Sequence, residues 1–325
     1  MHPLPFARQV LMHFDPKPRR LILALALVEL AIVGTMITAL TWRSQSMTAS
    51  AAPLPEGSTK PLATPHQAVK VGDAPHVEID APGFAVEVET GNEHRVVFDD
   101  VSRQTGVAYA GRHAVDISSS DANVKISVNE SNTTGLSLSD RRLRIVVPKS
   151  TNLEITNCGS ASIADVAGEV HVTANNGRIF LQNVLASVVE VESNNGRVEA
   201  KGIKTHSLTI HGSNGRIVAE NVVIEGGDAK LELRASNGKI EFTGRLAPGG
   251  DYAVEGSNGS VNLTLPSDSD TTVTASASNG SVHASGGISV TEDGDNTIAK
   301  YGDGRGAVSV STSNGSVYLS RTERV

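Results

Sequence analysis

The sequence is poor in aromatic residues and has a single cysteine. Aromatic side chains make up 3% of the 325 residues, and valine, isoleucine, leucine and alanine supply most of the apolar positions. Such side chains suit narrow β-stacks better than thick interiors, which need bulkier residues. Because Cys158 stands alone, an intrachain disulfide is excluded and the fold must hold without one.

An excess of positive charge is also missing. The formal net charge is -7 at pH 7, whereas proteins that bind DNA or RNA present a basic face to the phosphates. We therefore expect no nucleic-acid partner.

Signatures of catalysis are absent as well. The ten histidines do not cluster, no nucleophile-elbow motif occurs, and glycan hydrolysis would need carboxylates converging in a cleft. The segment 286–307 carries Glu292, Asp293 and Asp295, but it lacks the glycine and the closing glutamate of a calcium loop. We expect a polar surface loop there. The sequence predicts no enzyme, no cofactor and no metal site.

Only one long hydrophobic run is present, at residues 21–42. As a helix this run would be about 33 Å long, enough to cross a bilayer. The cations that precede it predict a cytoplasmic N-terminus at residues 1–20 and export of everything that follows. A cleaved signal peptide is the alternative, because a small-residue triplet follows at residues 49–51. The preceding cations are Arg8, Lys17, Arg19 and Arg20.

Residues 43–75 are rich in proline, serine, threonine and alanine and read as a flexible linker. From residue 76 to 150 apolar residues alternate with polar ones at uneven spacing, which is typical of irregular strands. Regular repeats then occupy residues 151–325.

These repeats share an Asn-Gly corner that returns about every 20 residues. Apolar or small residues stand six, four and two places before each asparagine, and three and five places after it. That parity points them inward from two short strands that meet at the corner. Cys158-Gly159 is a degenerate first copy, in which Cys158 fills the asparagine position as a small packed side chain. The corners are Asn176, Gly177, Asn195, Gly196, Asn214, Gly215, Asn237, Gly238, Asn258, Gly259, Asn279, Gly280, Asn314 and Gly315.

A period near 20 residues predicts an all-β, parallel β-solenoid. In such a stack the corners superpose, so each asparagine can hydrogen-bond the asparagines above and below it. Val184, Ile203 and Val222 recur after the corners and indicate a third wall, hence triangular coils. An antiparallel meander is the alternative, because Asn-Gly also favours hairpins.

The residue after the corner glycine suggests a contact surface. Arg178, Arg197, Arg216 and Lys239 would form a file of cations about 5 Å apart, suited to an acidic glycan or an anionic lipid surface. The competing interpretation is a solvated face whose cations are paired locally with glutamates. Those glutamates are Glu192, Glu199, Glu241 and Glu255.

The strand ending at residues 146–148, the strand at residues 153–155 and the repeated corners carry a family likeness. They resemble the bacterial putative adhesin domain, a family of unknown biochemical function, and more distantly the bactofilin-like β-helices. The resemblance implies a β-solenoid in the cell envelope with a non-catalytic role, and it transfers no functional residue.

Together these features predict a single-pass membrane protein with a periplasmic or extracellular solenoid. The solenoid would serve as an adhesion, interaction or scaffold module, with a cell-wall or surface glycan or another envelope protein as its partner. One alternative is an envelope-stress sensor or regulatory protein that acts through the basic tail. A polysaccharide-acting β-helix enzyme is the second alternative.

Overall fold

The computed structural model describes residues 67–104, 113–130 and 139–323. The predicted tail at 1–20, the anchor helix at 21–42 and the linker as far as residue 66 lie outside these residues. Over the described ranges, no helix has the length and apolar character needed to span a bilayer. In chain order the strands are β1 (Gln67–Lys70), β2 (His76–Asp80), β3 (Ala85–Gly91), β4 (Arg95–Asp100), β5 (Arg103–Gln104), β6 (His113–Ser119), β7 (Asn123–Glu130), β8 (Ser139–Asp140), β9 (Arg142–Pro148), β10 (Asn152–Cys158), β11 (Ser160–Ala164), β12 (Val170–Asn176), β13 (Ile179–Gln182), β14 (Val188–Asn195), β15 (Val198–Lys201), β16 (Lys204–Thr205), β17 (Ser207–Asn214), β18 (Ile217–Ile224), β19 (Lys230–Asn237), β20 (Ile240–Leu246), β21 (Asp251–Asn258), β22 (Val261–Pro266), β23 (Thr271–Asn279), β24 (Val282–Ala284), β25 (Ser289–Asp293), β26 (Asn296–Tyr301), β27 (Gly306–Asn314) and β28 (Val317–Thr322).

Most of these strands belong to two long sheets. Sheet A has the order β1-β4-β9-β3-β11-β13-β15-β18-β20-β22-β28-β24, with β16 beside β18. Sheet B has the order β25-β26-β23-β27-β21-β19-β17-β14-β12-β10-β2-β7-β6, and β5 pairs with β8 separately. A coil is one strand of sheet B, a corner, and the next strand in sheet A.

Successive coils pair in parallel and in register. Val170 of β12 lies opposite Val189 of β14, which in turn lies opposite Leu208 of β17. A meander would pair these strands antiparallel. The structure therefore confirms the prediction of an all-β, parallel solenoid-like fold and excludes the meander.

The inward positions of the repeat fill the space between the two sheets. Ile210, Leu233 and Phe242, for example, are almost completely buried. The strand β24 departs from the pattern, because Val282 is half-buried and Ala284 is exposed. This strand is the last in sheet A among the described residues, so no further coil covers it.

The predicted third wall is present as a short ladder that continues sheet A after a bend. Val184, Ile203 and Val222 face the core. The N–H of Lys204 donates to the carbonyl of Val184 at 2.9 Å, and that of Val223 donates to the carbonyl of Ile203 at 2.8 Å, so these segments pair in parallel from coil to coil. A residue with positive φ, such as Asn183 at 53° or Asn221 at 55°, marks the bend. The triangular shape of the coils stays a prediction.

Cys158 does not occupy the asparagine position of the first corner, as the sequence pattern suggested. A bulge between Ile155 and Cys158 shifts the register, so that Cys158 lies opposite Ala174, the small inward position. The first corner is therefore shorter than the others. Cys158 is fully buried as a result.

Near the C-terminus, the order of coils in space differs from their order in the sequence. The last coil, β27 and β28, lies between the coil of β21 and β22 and the coil of β23 and β24. The outermost coil therefore precedes the final coil in the sequence, and the final coil lies one layer further in.

The same inversion occurs near the N-terminus. The coil of β7 and β9 lies outside the coil of β2 and β3, although it follows it in the sequence. The next coil, β10 and β11, then pairs with the inner side of β2 and β3. Antiparallel strands cover this end, with β4 against β9 and β6 against β7.

Segment 286–307 forms a hairpin rather than the predicted polar surface loop. Its strands β25 and β26 pair antiparallel, and β26 pairs antiparallel with β23. Ala299 and Tyr301 are buried, and the Tyr301 hydroxyl donates to the carbonyl oxygen of Ser320 at 3.1 Å. The acidic run Asp293 to Asn296 is the turn between the two strands. A hairpin over an open sheet edge shields strand groups that could otherwise pair with other chains.

Part of the predicted linker is also strand. Residues 67–70 form β1, which pairs antiparallel with β4 from Gln67 opposite Phe98 to Lys70 opposite Arg95. A four-residue strand with one bulky apolar residue, Val69, has too little alternation to be recognised in the sequence.

Candidate contact surface and corner ladder

The corner glycines are required by two separate constraints. Six of the seven have a positive φ, from 118° at Gly177 to 150° at Gly315, which side chains rarely tolerate. In addition, a Cβ on Gly215 would lie 1.7 Å from the carbonyl oxygen of Gly196 in the adjacent coil. Gly280 lacks the positive φ, but its Cβ would lie 1.8 Å from the carbonyl oxygen of Gly315.

The corner asparagines form one continuous ladder. Each Nδ2 donates to the Oδ1 of the next asparagine in the same direction, for example Asn195 to Asn176 at 3.1 Å and Asn237 to Asn214 at 2.9 Å. The remaining bonds are Asn214 to Asn195, Asn258 to Asn237, Asn314 to Asn258 and Asn279 to Asn314, at 2.8–2.9 Å. These contacts explain the repeated asparagine by stacking, so its recurrence is not evidence for a binding motif.

The predicted file of cations lies beside this ladder. The backbone N–H of Ile179 donates to the carbonyl of Arg197, that of Val198 to Arg216, and that of Ile217 to Lys239. These bonds place Arg178, Arg197, Arg216 and Lys239 on successive coils. The structure therefore brings the four predicted residues together in a row, each directly before a strand of sheet A.

Two glutamates pair with the four cations. Oε1 of Glu199 lies 3.4 Å from Nε of Arg178 and 3.1 Å from Nε of Arg197. Glu241 pairs with both Arg216 and Lys239. Burial alone would raise the pKa of Glu241, but the hydrogen bonds from Lys239 and Arg216 outweigh it and lower that pKa.

The file keeps a positive balance because each carboxylate serves two cations. The carboxylates are also recessed: the side chain of Glu199 is 10% exposed, whereas that of Arg178 is 64% exposed. Glu192 and Glu255, which were also expected to neutralise the file, belong to sheet B. The local pairing predicted from the sequence is therefore partial.

A groove of about 520 Å³ adjoins the exposed end of the file. Its lining includes the short side chains of Ser160 and Ser162, the ring of Phe180, and two glutamates, Glu87 and Glu199. Arg142, whose guanidinium pairs with Glu87 at 2.8 Å, and Arg178 line the groove as well. This groove was not predicted from the sequence, although serines at outward positions between coils with larger side chains are a recognisable pattern.

The outward face of sheet B carries pairs of histidine and glutamate. A groove of about 410 Å³ is lined by His76, Glu154, His171 and Glu190, among others. His171 Nδ1 lies 3.1 Å from Glu190, and His211 Nε2 lies 3.0 Å from Glu232 on the same face. Across the described ranges, no group of three or more histidine, cysteine or acidic side chains is placed to hold a metal ion.

Cys158 is inaccessible and weakly acidic. Burial raises the pKa of its thiol to about 11, and its Sγ lies 3.6 Å from the carbonyl oxygen of Thr173. Nucleophilic chemistry requires the thiolate. The residue therefore acts as a core side chain.

The sequence profile of Toastrack DUF4097 matches residues 77–320. No curated protein matches the chain. Among solved structures, a putative cell adhesion protein from Clostridium sporogenes is 14% identical, over 81% of this chain and 100% of that chain, with a TM-score of 0.28. A putative adhesin from Bacteroides fragilis is 10% identical, over 79% of this chain and 96% of that chain, with a TM-score of 0.33. Because the matched residues span well over half of the sequence, the chain belongs to the Toastrack DUF4097 family.

Proposed function

We propose that this protein is a non-catalytic interaction module of the cell envelope, and that the cation file on sheet A contacts an acidic glycan. The observation that carries the proposal is the file itself: four cations on successive coils share two recessed carboxylates. An acidic glycan presents a repeated negative charge, which such a file can meet at several points.

The solenoid supports this role by fixing the spacing of the cations. Adjacent parallel strands lie about 4.8 Å apart, and the asparagine ladder holds each corner in register with the next. Because the solenoid backbone is already ordered, binding costs only the conformational freedom of the cationic side chains.

The groove next to Arg178 offers further contacts to a sugar chain. Serine hydroxyls can donate to and accept from sugar hydroxyls, and the ring of Phe180 offers an apolar surface to a pyranose face. Arg142 and Arg178 line the groove together with their partners Glu87 and Glu199. Because Arg178 and Arg197 share Glu199, an excess positive charge remains beside the groove, and it suits a carboxylated sugar unit better than a neutral one.

The pairing of the carboxylates beside the file supports a non-catalytic role. Glu199 and Glu241 each hold two cations, so neither is positioned as a free general acid or base. The single thiol, that of Cys158, is buried and has a raised pKa, so it is not an activated nucleophile either.

The proposal also includes a membrane anchor at residues 21–42, with the solenoid outside the cytoplasm. It is supported by the 22 residues of that largely apolar segment and by the cations before it. Protease treatment of intact and permeabilised cells tests the orientation. Cleavage of the solenoid only after the cytoplasmic side is opened would reverse it.

Glycan binding is tested with the purified solenoid on polygalacturonate, an acidic glycan, and on dextran, a neutral one. We expect binding to polygalacturonate that weakens with salt and a loss of about tenfold in the triple variant Arg178→Ala, Arg197→Ala and Arg216→Ala. A matched control removes Lys125, Lys230 and Arg234 from sheet B, and it should leave the affinity nearly unchanged. Equal losses in the two triple variants, or equal binding to dextran, would reject the proposed surface. Both triple variants are first checked for an unaltered melting curve.

A further inference from the structure

Asn-Gly is the dipeptide most prone to spontaneous deamidation, because a glycine nitrogen reaches the preceding side chain without steric hindrance. In this solenoid that nitrogen is occupied at interior corners. The N–H of Gly177 donates to the carbonyl of Asn195 at 2.8 Å, and the N–H of Gly215 donates to that of Asn237 at 2.8 Å. The same bond protects Gly196, Gly238, Gly259 and Gly315.

Gly280 is the exception. Its N–H has no hydrogen-bond acceptor among the described residues, because the coil of β23 and β24 is the outermost coil at this end. The side chain of Asn279 likewise has an asparagine partner on only one side among the described residues. Its Nδ2 donates to Asn314 at 2.9 Å, but no described asparagine donates to its Oδ1. Both residues are exposed.

The hairpin of β25 and β26, called the capping hairpin because β26 pairs with the outermost strand β23, stops short of this corner. Strand β26 pairs with β23 from Thr271 opposite Tyr301 to Ala275 opposite Thr297. Residues 276–280 continue beyond the cap, so the last part of β23 has a partner only on the inner side, in β27.

Neither residue of the pair is easily replaced. Asn279 supplies the last hydrogen bond of the ladder, and a Cβ on Gly280 would lie 1.8 Å from the carbonyl oxygen of Gly315. Stacking therefore imposes an Asn-Gly corner at the one position where the stack does not shield it.

We propose that Asn279 is a site of spontaneous deamidation in the folded protein. The backbone nitrogen of Gly280 attacks Cγ of Asn279, a Cγ–N bond forms, and the Cγ–Nδ2 bond breaks. Ammonia leaves, carrying the side-chain nitrogen and the proton lost from Gly280. Water then hydrolyses one of the two carbonyl groups of the succinimide, and aspartate or isoaspartate results.

The product weakens the end of the stack. A carboxylate at position 279 cannot donate to Oδ1 of Asn314, so an attractive contact becomes a repulsive one. Isoaspartate also lengthens the backbone at the corner, where Gly280 and Gly315 are in close contact. We expect the outermost coil to fray while the interior ladder stays intact.

The test is to age the purified protein at mildly alkaline pH and physiological temperature and to map peptides by mass spectrometry, with fragment ions assigning the site. Conversion at Asn279 should be at least about tenfold faster than at any interior corner, since those must open locally before they can react. Asn279→Ser should remove the fast product and leave the slow ones.

Incubation in denaturant gives the intrinsic reference, because all seven Asn-Gly pairs then react without protection. The proposal requires that Asn279 be distinguished in the folded protein only. Similar rates at all seven corners of the folded protein, or conversion at an interior corner before Asn279, would overturn it. So would an unreactive Asn279 that converts only in denaturant.

Discussion

The side-chain amide of Asn314 donates to Oδ1 of Asn258 at 2.8 Å, although 56 residues separate them in the sequence. The corner between them in the sequence, Asn279, lies on the far side of Asn314 and donates to it at 2.9 Å. Hence the ladder follows the order of the stack and not the order of the chain. The outermost coil precedes, in the sequence, the coil on which it packs.

A β-branched residue at an interior corner should destabilise the solenoid. Gly215 has φ 144°, and a Cβ there would lie 1.7 Å from the carbonyl oxygen of Gly196. We expect Gly215→Val to lower the free energy of unfolding by about 3 kcal/mol or more, as measured by urea denaturation. Gly227→Val is the control, because a Cβ at that position would meet nothing within 4 Å. A melting curve for Gly215→Val that matches the control would contradict the corner assignment.

The hydroxyl of Tyr301 should contribute to the attachment of the capping hairpin. It is buried and donates to the carbonyl oxygen of Ser320 at 3.1 Å. Tyr301→Phe keeps the ring and leaves that carbonyl without its side-chain donor, so we expect a loss of about 1 kcal/mol. Tyr301→Ala should cost about 3–5 kcal/mol, since it also leaves a cavity. Calorimetry measures both, and a stable Tyr301→Ala variant would show that the hairpin does not rest on this side chain.

Glu241 should make stability depend on pH in the acidic range. Its pKa in the folded protein lies below the ordinary value of 4.5, so its contribution is present above pH 4.5 and is lost as the pH falls through the lowered pKa. The variant Glu241→Gln cannot lose a charge there. We therefore expect the difference in melting temperature between wild type and Glu241→Gln to shrink as the pH falls below 4.5. A difference that stays constant would exclude this linkage.

Cys158 should not react with thiol reagents until the protein unfolds. Burial raises its pKa to about 11, which leaves little thiolate near neutral pH. A disulfide reagent should react with the denatured protein quickly and with the native protein only at the rate of opening. Rapid labelling under native conditions would mean that the first corner is open.

The sequence predicts the interior coils well, because each corner repeats the same stacking constraint. Its register assignment fails at Cys158, where a bulge shifts the pairing by a local backbone change that leaves no trace in the pattern. The burial of Val184, Ile203 and Val222 was predictable from their recurrence, but the sequence does not show that their short ladder continues sheet A after a bend.

The order of the coils could not be read from the sequence for a different reason. Every coil presents nearly the same edge, so Asn258 could accept the corner of β23 as well as that of β27. Which coil pairs with Asn258 depends on the length of the segment at 286–307. It also depends on the burial of Ala299 and Tyr301, two residues of the hairpin in that segment. The cation file was predictable because it follows the corner glycine, whereas the groove is lined by residues from several coils, such as Arg142, Ser162 and Phe180.

Disulfide trapping across sheet A tests the central claim, the inserted last coil, most directly. Asn262 of β22 lies opposite Tyr318 of β28, and Tyr318 lies opposite His283 of β24. The double variant Asn262→Cys and Tyr318→Cys places the two Cα atoms about 5 Å apart, within disulfide range. The variant Asn262→Cys and His283→Cys separates them by two strand spacings, about 10 Å. We predict rapid crosslinking in the first variant and none in the second under mild oxidation, and the reverse result would mean that the coils stack in the order of the sequence.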